Sequence, residues 1–286
     1  MMFSVQATSL QLFREAVDSK CDSVRFGSEF CEWCIPDEEA LKEANALSKS
    51  KGKEFTYVTP RVSDSGIEVL RAQLTQLNEL EKTRVVVNDL GVLGILGRCS
   101  NLRPHLGRHM IYIPARCPWN QITEHEVGFL AQRKVEQIYY QTSLNYESTI
   151  KLYKSRGVLG VDVDWIPRCF PYFEFLTRNG LTLSIHTHLV PVTSTRKCHM
   201  ARFLGEKDPE TCSRPCLSKA FLLRHDTLGT EFFLEGNTVF RFVQPSREDV
   251  FRLHKVGTGE VVITTGPATG IETRGEIDQV IESLRI

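Results

Sequence analysis

The chain has 286 residues, 41% of them apolar and 24% charged, which is the composition of a folded globular protein and excludes disorder as its main state. Its 35 basic residues balance its 35 acidic ones, so it lacks the excess positive charge that polyanion binding draws on, and nucleic acid is a disfavoured partner. No apolar run approaches the roughly 18 residues of a membrane helix, and the opening Met-Met-Phe-Ser-Val-Gln has no basic segment leading into an apolar one, so a cytoplasmic location is expected.

Short β-rich runs alternate with helical patterns from the start. Residues 4–6 read as a first strand, followed by an amphipathic stretch with Leu10, Phe13 and Val17 on one face. Residues 23–27 form a second strand and lead into Phe30-Cys31-Glu32-Trp33-Cys34; Pro36 then opens a helix over 37–50. A third strand at 54–58 precedes a helix carrying Ile67, Leu70, Leu74 and Leu77, and a fourth at 84–88 precedes a helix over 90–96. The pattern predicts a fifth strand at 110–113 with a helix over 124–132, and a sixth at 137–140 with a helix over 146–154. A seventh at 160–164 with a helix over 169–178, and an eighth at 181–186, complete the series.

Eight strand-then-helix units imply parallel strands with helical crossovers, and eight strands of this kind close a barrel, commonly in about 250 residues. The expected fold is therefore an α/β, TIM-like (βα)8 barrel over residues 1–195. Residues 196–286 are expected to form a cysteine-rich loop and a C-terminal α+β extension packed on the barrel. In that extension 221–223, 232–234 and 239–242 read as antiparallel strands turning at Glu235-Gly236-Asn237, followed by a helix capped by Ser246, a strand at 261–264 and a helix over 272–284.

Nine cysteines, odd in number and unevenly spread, do not make a disulfide framework in a reducing compartment. Cys198, Cys212 and Cys216 fall within nineteen residues, in a polar stretch broken by Gly205 and Pro209 that suits neither a core strand nor an amphipathic helix. Three thiols in such a loop read as most of a metal site. Barrel chemistry gathers at the C-terminal ends of the strands, and in the predicted ring the eighth strand neighbours the first, itself next to the second. Cys31 and Cys34, after the second strand, thus emerge at the same mouth as the cluster loop, and either can supply a fourth ligand. Four thiolates suit zinc or an iron–sulfur cluster. The thirteen-residue gap and the single distant partner fit the larger cluster better than paired two-residue zinc spacings.

Cys21, Cys99, Cys117 and Cys169 have no partners in this pattern and read as packing residues. Polar groups at predicted strand ends, Glu29, Arg61, Asn88, Asp89, Arg116, Gln141, Asp164, His186 and His188, could line a pocket at the mouth. Taken singly each is as readily a capping, solvated or structural residue, with Asn88-Asp89 a natural helix cap.

The run from His188 through Pro191 and Arg196 to Cys198 resembles the collagenase-like peptidase family, closest to its UbiV branch. So do the Cys212-x3-Cys216 pair, Val87-Asn88-Asp89-Leu90-Gly91 and Gly27-Ser28-Glu29-Phe30-Cys31, and the resemblance extends over nearly the whole chain. It implies a 4Fe–4S cluster on Cys31, Cys198, Cys212 and Cys216, with Cys34 as the alternative to Cys31. It also implies a paralogous UbiU-like subunit as heterodimer partner, and a part in oxygen-independent hydroxylation of an aromatic quinone precursor during ubiquinone synthesis. The chain differs from the family in a shorter gap between Cys198 and Cys212, in the added Cys34, and in Arg-His-Met-Ile-Tyr near residue 110, where an Asn-rich strand is usual.

No Gly-x-Gly-x-x-Gly follows a strand, so no flavin or nicotinamide site is expected, and no catalytic residue is assigned. The other function classes are peptidase activity, RNA base hydroxylation and a non-catalytic scaffold subunit stabilised by its cluster. The first has no Gly-x-Ser-x-Gly elbow, no His-Glu-x-x-His helix and no thiol with an assigned base in its support. The second is disfavoured by the neutral charge.

Overall fold

The computed structural model describes residues 1–80, 82–119, 128–206 and 208–285. Strands are numbered in chain order: β1 (Met2–Ala7), β2 (Ser23–Gly27), β3 (Glu54–Val58), β4 (Thr83–Val87), β5 (Leu102–Leu106), β6 (Gly160–Asp164) and β7 (Thr182–Thr187). They continue with β8 (Leu189–Ser194), β9 (Phe221–His225), β10 (Thr230–Glu235), β11 (Thr238–Phe242) and β12 (Glu260–Thr264). Eight of them close a parallel barrel in the order β1-β12-β7-β6-β5-β4-β3-β2, and the other four form an antiparallel sheet in the order β8-β11-β10-β9. Helices lie between the barrel strands, so the fold is the TIM-like barrel expected from the strand and helix rhythm.

The number eight is right, but two of its members are not those predicted. Residues 110–113 form no strand: Arg108–Met110 and Pro114–Arg116 are single 3₁₀ turns. Residues 137–140 are the last turn of the helix Phe129–Tyr140; the start of the helix predicted from 124 lies outside the described residues. The true fifth strand, Leu-Arg-Pro-His-Leu, contains Pro104, a residue that argues against a central strand. It is tolerated because β5 pairs with β6 only through His105 and Leu106, leaving the Pro104 region bound chiefly to β4.

The eighth member is β12, which pairs with β7 on one side and β1 on the other. The barrel therefore does not end at residue 195. The four-stranded sheet is an insertion between β7 and β12, and the helices Arg247–Val256 and Arg274–Leu284 flank the closing strand. His188 makes the turn out of the barrel at φ +70°, in the left-handed region where a side chain other than glycine costs about 1–2 kcal/mol. Its carbonyl is held by the Val243 N–H at 2.8 Å and its Nδ1 by the Thr187 hydroxyl at 2.8 Å.

Both faces of the barrel strands are buried, yet their two phases differ. Val5, Val24, Val161, Val163, Leu183, Ile185, Val261 and Ile263 alternate with Ser4, Gln6, Ser23, Arg25, Asp162, Asp164, Ser184, His186 and Glu260. The apolar phase packs against the helices. The polar phase points inward, since Arg25 on β2 reaches Asp162 on β6, four strands away around a ring of eight, by crossing the barrel interior.

Candidate functional site

The interior charges form two hydrogen-bonded clusters that feel each other's charge through Glu29, Asp162 and His186. Arg25 Nη1 donates to Asp162 at 2.5 Å, and its Nη2 donates to Glu260, which also accepts from Ser23, Ser184 and Arg84 at 2.8–2.9 Å. His186 Nε2 is 2.9 Å from Asp162. Nearer the C-terminal mouth, Arg108 grips Glu29 with two bonds of 2.8 and 2.6 Å and reaches Asp164 at 3.1 Å; Arg116 takes the other oxygen of Asp164 at 2.5 Å. Four guanidinium groups thus face four carboxylates.

Burial by itself raises the carboxyl pKa values, but the arginines override it and hold Glu29 and Glu260 down at about 2 and Asp162 below its ordinary range. Burial keeps His186 below its usual value and therefore neutral at pH 7. Few barrels fill their interior this way, since buried ion pairs add little net stability over apolar packing.

Over this floor lies the cysteine rim. The segment Ser28 to Cys34 leaves β2 through Gly27, at φ +127°, whose absent Cβ would meet the Val58 carbonyl oxygen at 2.1 Å. Cys31 precedes the 3₁₀ turn Glu32–Cys34, and Cys34 Sγ stands 3.8 Å from Cys216 Sγ. A hydrogen bond from the Cys34 thiol lowers Cys31 to about 7, whereas sharing its hydrogen with both neighbours pushes Cys34 up. Cys198 caps the short helix His199–Phe203, accepting from Ala201 N at 3.4 Å, and is within electrostatic reach of Cys31 and Cys216. Cys212, raised to about 11 chiefly by burial, accepts from Arg214 N at 3.4 Å and lies within electrostatic reach of Cys198. Gly236, at φ +61°, lets Cys216 approach the β10–β11 turn, where a Cβ would stand 3.3 Å from that of Cys216.

The structure sets Cys31, Cys34 and Cys216 around one cavity, with Cys198 within electrostatic reach of Cys31 and Cys216 and Cys212 within reach of Cys198, by a route different from the expected one. Two strands, β1 and β12, separate β2 from β7. The inserted sheet spans that distance and carries the later cysteines back over the mouth, with Asn237 Nδ2 donating to the Phe30 carbonyl at 2.8 Å. All nine cysteines are free, and among the described residues no three His, Cys, Asp or Glu side chains converge on one point for a single ion. Cys31, Cys34 and Cys216 line a cavity of about 60 Å³ together with Gln6, Glu29 and Glu235, room for a few waters by the measure of about 10–15 Å³ each. Glu235 is half-buried as a residue, but its carboxyl sits in the cavity wall, and burial raises it to about 7 while Ala268 N donates to it at 3.1 Å.

The polar residues predicted at strand ends divide into three groups. Glu29, Arg116, Asp164 and His186 belong to the interior network. Asn88 ties the Thr59 carbonyl to the His109 N–H, Asp89 caps the helix Leu90–Leu96, Gln141 accepts from Asn145, and His188 is the hinge described above. Arg61 is exposed beside a second mouth cavity. Arg25, Arg108, Asp162, Glu235 and Glu260 were not singled out from the sequence. The signal for Arg25 and Asp162 was the period-two polar phase within apolar strands; Glu260 and Glu235 stand at strand ends, where the pattern is not visible. Arg108 carried none, because its segment read as a strand start.

No protein-family model matches the chain, and no curated protein matches it. Among solved structures, thiamine phosphate pyrophosphorylase from Pyrococcus furiosus superposes with a TM-score of 0.47 and 6% identity, covering 99% of this chain and 94% of that one. A U32 peptidase superposes at 0.46 with 13% identity over 93% of each chain. (S)-3-O-geranylgeranylglyceryl phosphate synthase from Thermoplasma acidophilum does so at 0.38 with 11% identity, over 99% and 92%. The class defined here, a (βα)8 barrel with an antiparallel sheet inserted before its last strand, rests on the strand order itself. No helix among the described residues is long and apolar enough to cross a membrane.

Proposed function

We propose that Cys31, Cys198, Cys212 and Cys216 hold a 4Fe–4S cluster over the barrel mouth. We further propose that the protein takes part, with a paralogous UbiU-like subunit, in an oxygen-independent hydroxylation in ubiquinone biosynthesis. The observation that supports the cluster is the gathering of free thiols from two remote segments beside one cavity. The donor set fits: soft sulfur selects iron–sulfur chemistry or zinc over hard cations. The substrate and the partner follow from the family resemblance alone.

When bound, such a cluster supplies single-electron transfer at a potential set by burial and by hydrogen bonds to its sulfurs. The chain's own residues do the rest. Cys34 is a hydrogen-bonding neighbour of Cys31 and positions it. Phe30, Leu189 and Phe240 line the cavity and limit water. Glu235, poised near neutral pH, can hold or release a proton at its Oε atoms on the cavity wall. Arg108 locks Glu29 as the rigid floor.

Anaerobic purification should give a brown protein with about four irons and matching sulfide per chain. Cys198→Ala and Cys31→Ala should each lose most of that iron, and Cys34→Ala should keep it with a shifted reduction potential. A colourless protein carrying one zinc per chain rejects the cluster. Unchanged anaerobic ubiquinone in a host lacking the gene rejects the pathway while leaving the cluster standing.

A further inference from the structure

Cys34 is the rim thiol left outside the proposed ligand set. It ends the 3₁₀ turn Glu32–Cys34 and is only 8% exposed, so reagents in bulk water hardly reach it. Its Sγ nevertheless stands 3.8 Å from the Sγ of Cys216, a residue 182 positions further along the chain, and both thiols are free. A disulfide needs its sulfurs at about 2.05 Å, so the gap to close is roughly 1.8 Å.

The two sides of that gap are held differently. On the β2 side, Ser28 Oγ accepts from the Cys31 N–H at 3.2 Å and donates to the Cys31 carbonyl at 2.8 Å, and Cys34 N donates to the same carbonyl at 3.2 Å. On the other side, the backbone of the turn Pro215–Leu217 is hydrogen-bonded only to its own neighbours among the described residues. Leu217 N donates to the Arg214 carbonyl at 3.0 Å and Ser218 N to the Pro215 carbonyl at 3.1 Å. Cys216 is therefore the sulfur free to move. It is half-buried, and so within reach of a small reagent that Cys34 cannot meet directly.

We propose that Cys34 and Cys216 form a reversible disulfide, a redox switch that withdraws Cys216 from the ligand set when the chain holds no cluster. The withdrawal rests on the cluster reading; the bond itself does not. The oxidant is a small disulfide such as oxidised glutathione. The Cys216 thiol attacks it, forming a mixed disulfide and releasing one reduced glutathione. The Cys34 thiol then displaces the second glutathione, closing the Cys34–Cys216 bond. Each thiol proton ends on a released glutathione, and the two electrons lost by the protein reduce the oxidant. Bonds made under oxidation and undone by thiols are the form disulfides take in chains without a permanent framework.

The test takes the full-length protein, stripped of metal and reduced without air, and incubates it with oxidised glutathione in native buffer and in urea. Remaining thiols are blocked with iodoacetamide and the chain is cut after glutamate, which parts Cys31 from Cys34 at Glu32. In native buffer, mass spectrometry should find the Cys34 peptide joined to the Cys216 peptide, two hydrogens lighter than the separate pair and released by dithiothreitol. In urea that preference should vanish, because it depends on the fold. Cys34→Ser should leave Cys216 carrying glutathione, and Cys31→Ser should keep the link; if either variant fails to fold, the mapping of the unaltered protein decides. Offered ferrous iron and sulfide, the oxidised protein should take up about a tenth or less of the iron that the reduced one does, and dithiothreitol should restore uptake. A reduced protein that takes up no iron removes the cluster reading and the withdrawal with it, and the link is still judged by the mapping. Cys34 joined to Cys31 instead, Cys34 and Cys216 both found alkylated, or the same pattern of links in urea overturns the proposal. So does an oxidised protein that carries the link and loads iron as fully as the reduced one.

Discussion

Arg25 is the residue on which the barrel interior turns. Its guanidinium bridges Asp162 and Glu260 with no access to solvent, so Arg25→Met leaves Asp162 without its guanidinium and Glu260 with Arg84 alone in a dry interior. Breaking a buried pair in this way costs about 3–5 kcal/mol, to be read from urea unfolding at pH 7. The same network sets the acid limit of stability. Glu29 and Glu260 have folded pKa values near 2 against an ordinary 4.5. Their contribution is therefore present above pH 4.5 and lost as pH falls from there toward 2.

Glu235 acts in the opposite sense. Its folded pKa is raised to about 7 from 4.5, so its contribution is complete below pH 4.5 and lost as pH rises through 7. Glu235→Gln should remove that slope and stabilise the protein relative to the parent by roughly 2 kcal/mol above pH 8. Equal denaturation midpoints of the two proteins at pH 5 and pH 8.5 would count against this placement of the carboxyl.

Among the elements, the exit from β2 is the most constrained. Gly27 admits no Cβ because the Val58 carbonyl of β3 stands where one would go, and its φ of +127° suits no other residue. Gly27→Ala should cost on the order of 3 kcal/mol and displace Glu29 and Cys31 together, seen as a lowered thermal midpoint and, if the cluster reading holds, reduced iron content. The β7–His188–β8 junction is the other pivot. There the chain leaves a parallel barrel for an antiparallel sheet in a single residue, and the backbone bond from Val243 fastens β8 to the end of β11. This junction lets a sheet of twenty-odd residues in strands carry Cys198, Cys212 and Cys216 across two barrel strands.

At the scale of the whole molecule, closure depends on a strand from near the end of the chain. A protein ending at residue 195 keeps seven barrel strands and exposes the paired edges of β1 and β7 that β12 normally fills. Such a fragment should show no cooperative thermal transition and should be cut rapidly by protease, because open edges in a parallel sheet neither bury their apolar faces nor satisfy their backbone groups. A fragment that melts cooperatively with a resolved near-ultraviolet dichroism spectrum would refute this account of closure.

The amino-acid pattern by itself determined what is local: the alternation of strand and helix, the caps at Asp89 and Ser246, the turn at Gly236 and the grouping of Cys198, Cys212 and Cys216. These are written in neighbouring residues and can be read from them. Tertiary structure alone decided which strand is the eighth, since parallel pairing joins residues far apart in sequence and leaves little local trace. It also decided that Pro104 lies in a strand while the β-rich 137–140 ends a helix, because packing overrode propensity at both. The interior salt bridges and the meeting of Cys34 with Cys216 are of the same kind. Each depends on the ring closing, which places opposite strands and the inserted sheet within a few ångströms of one another.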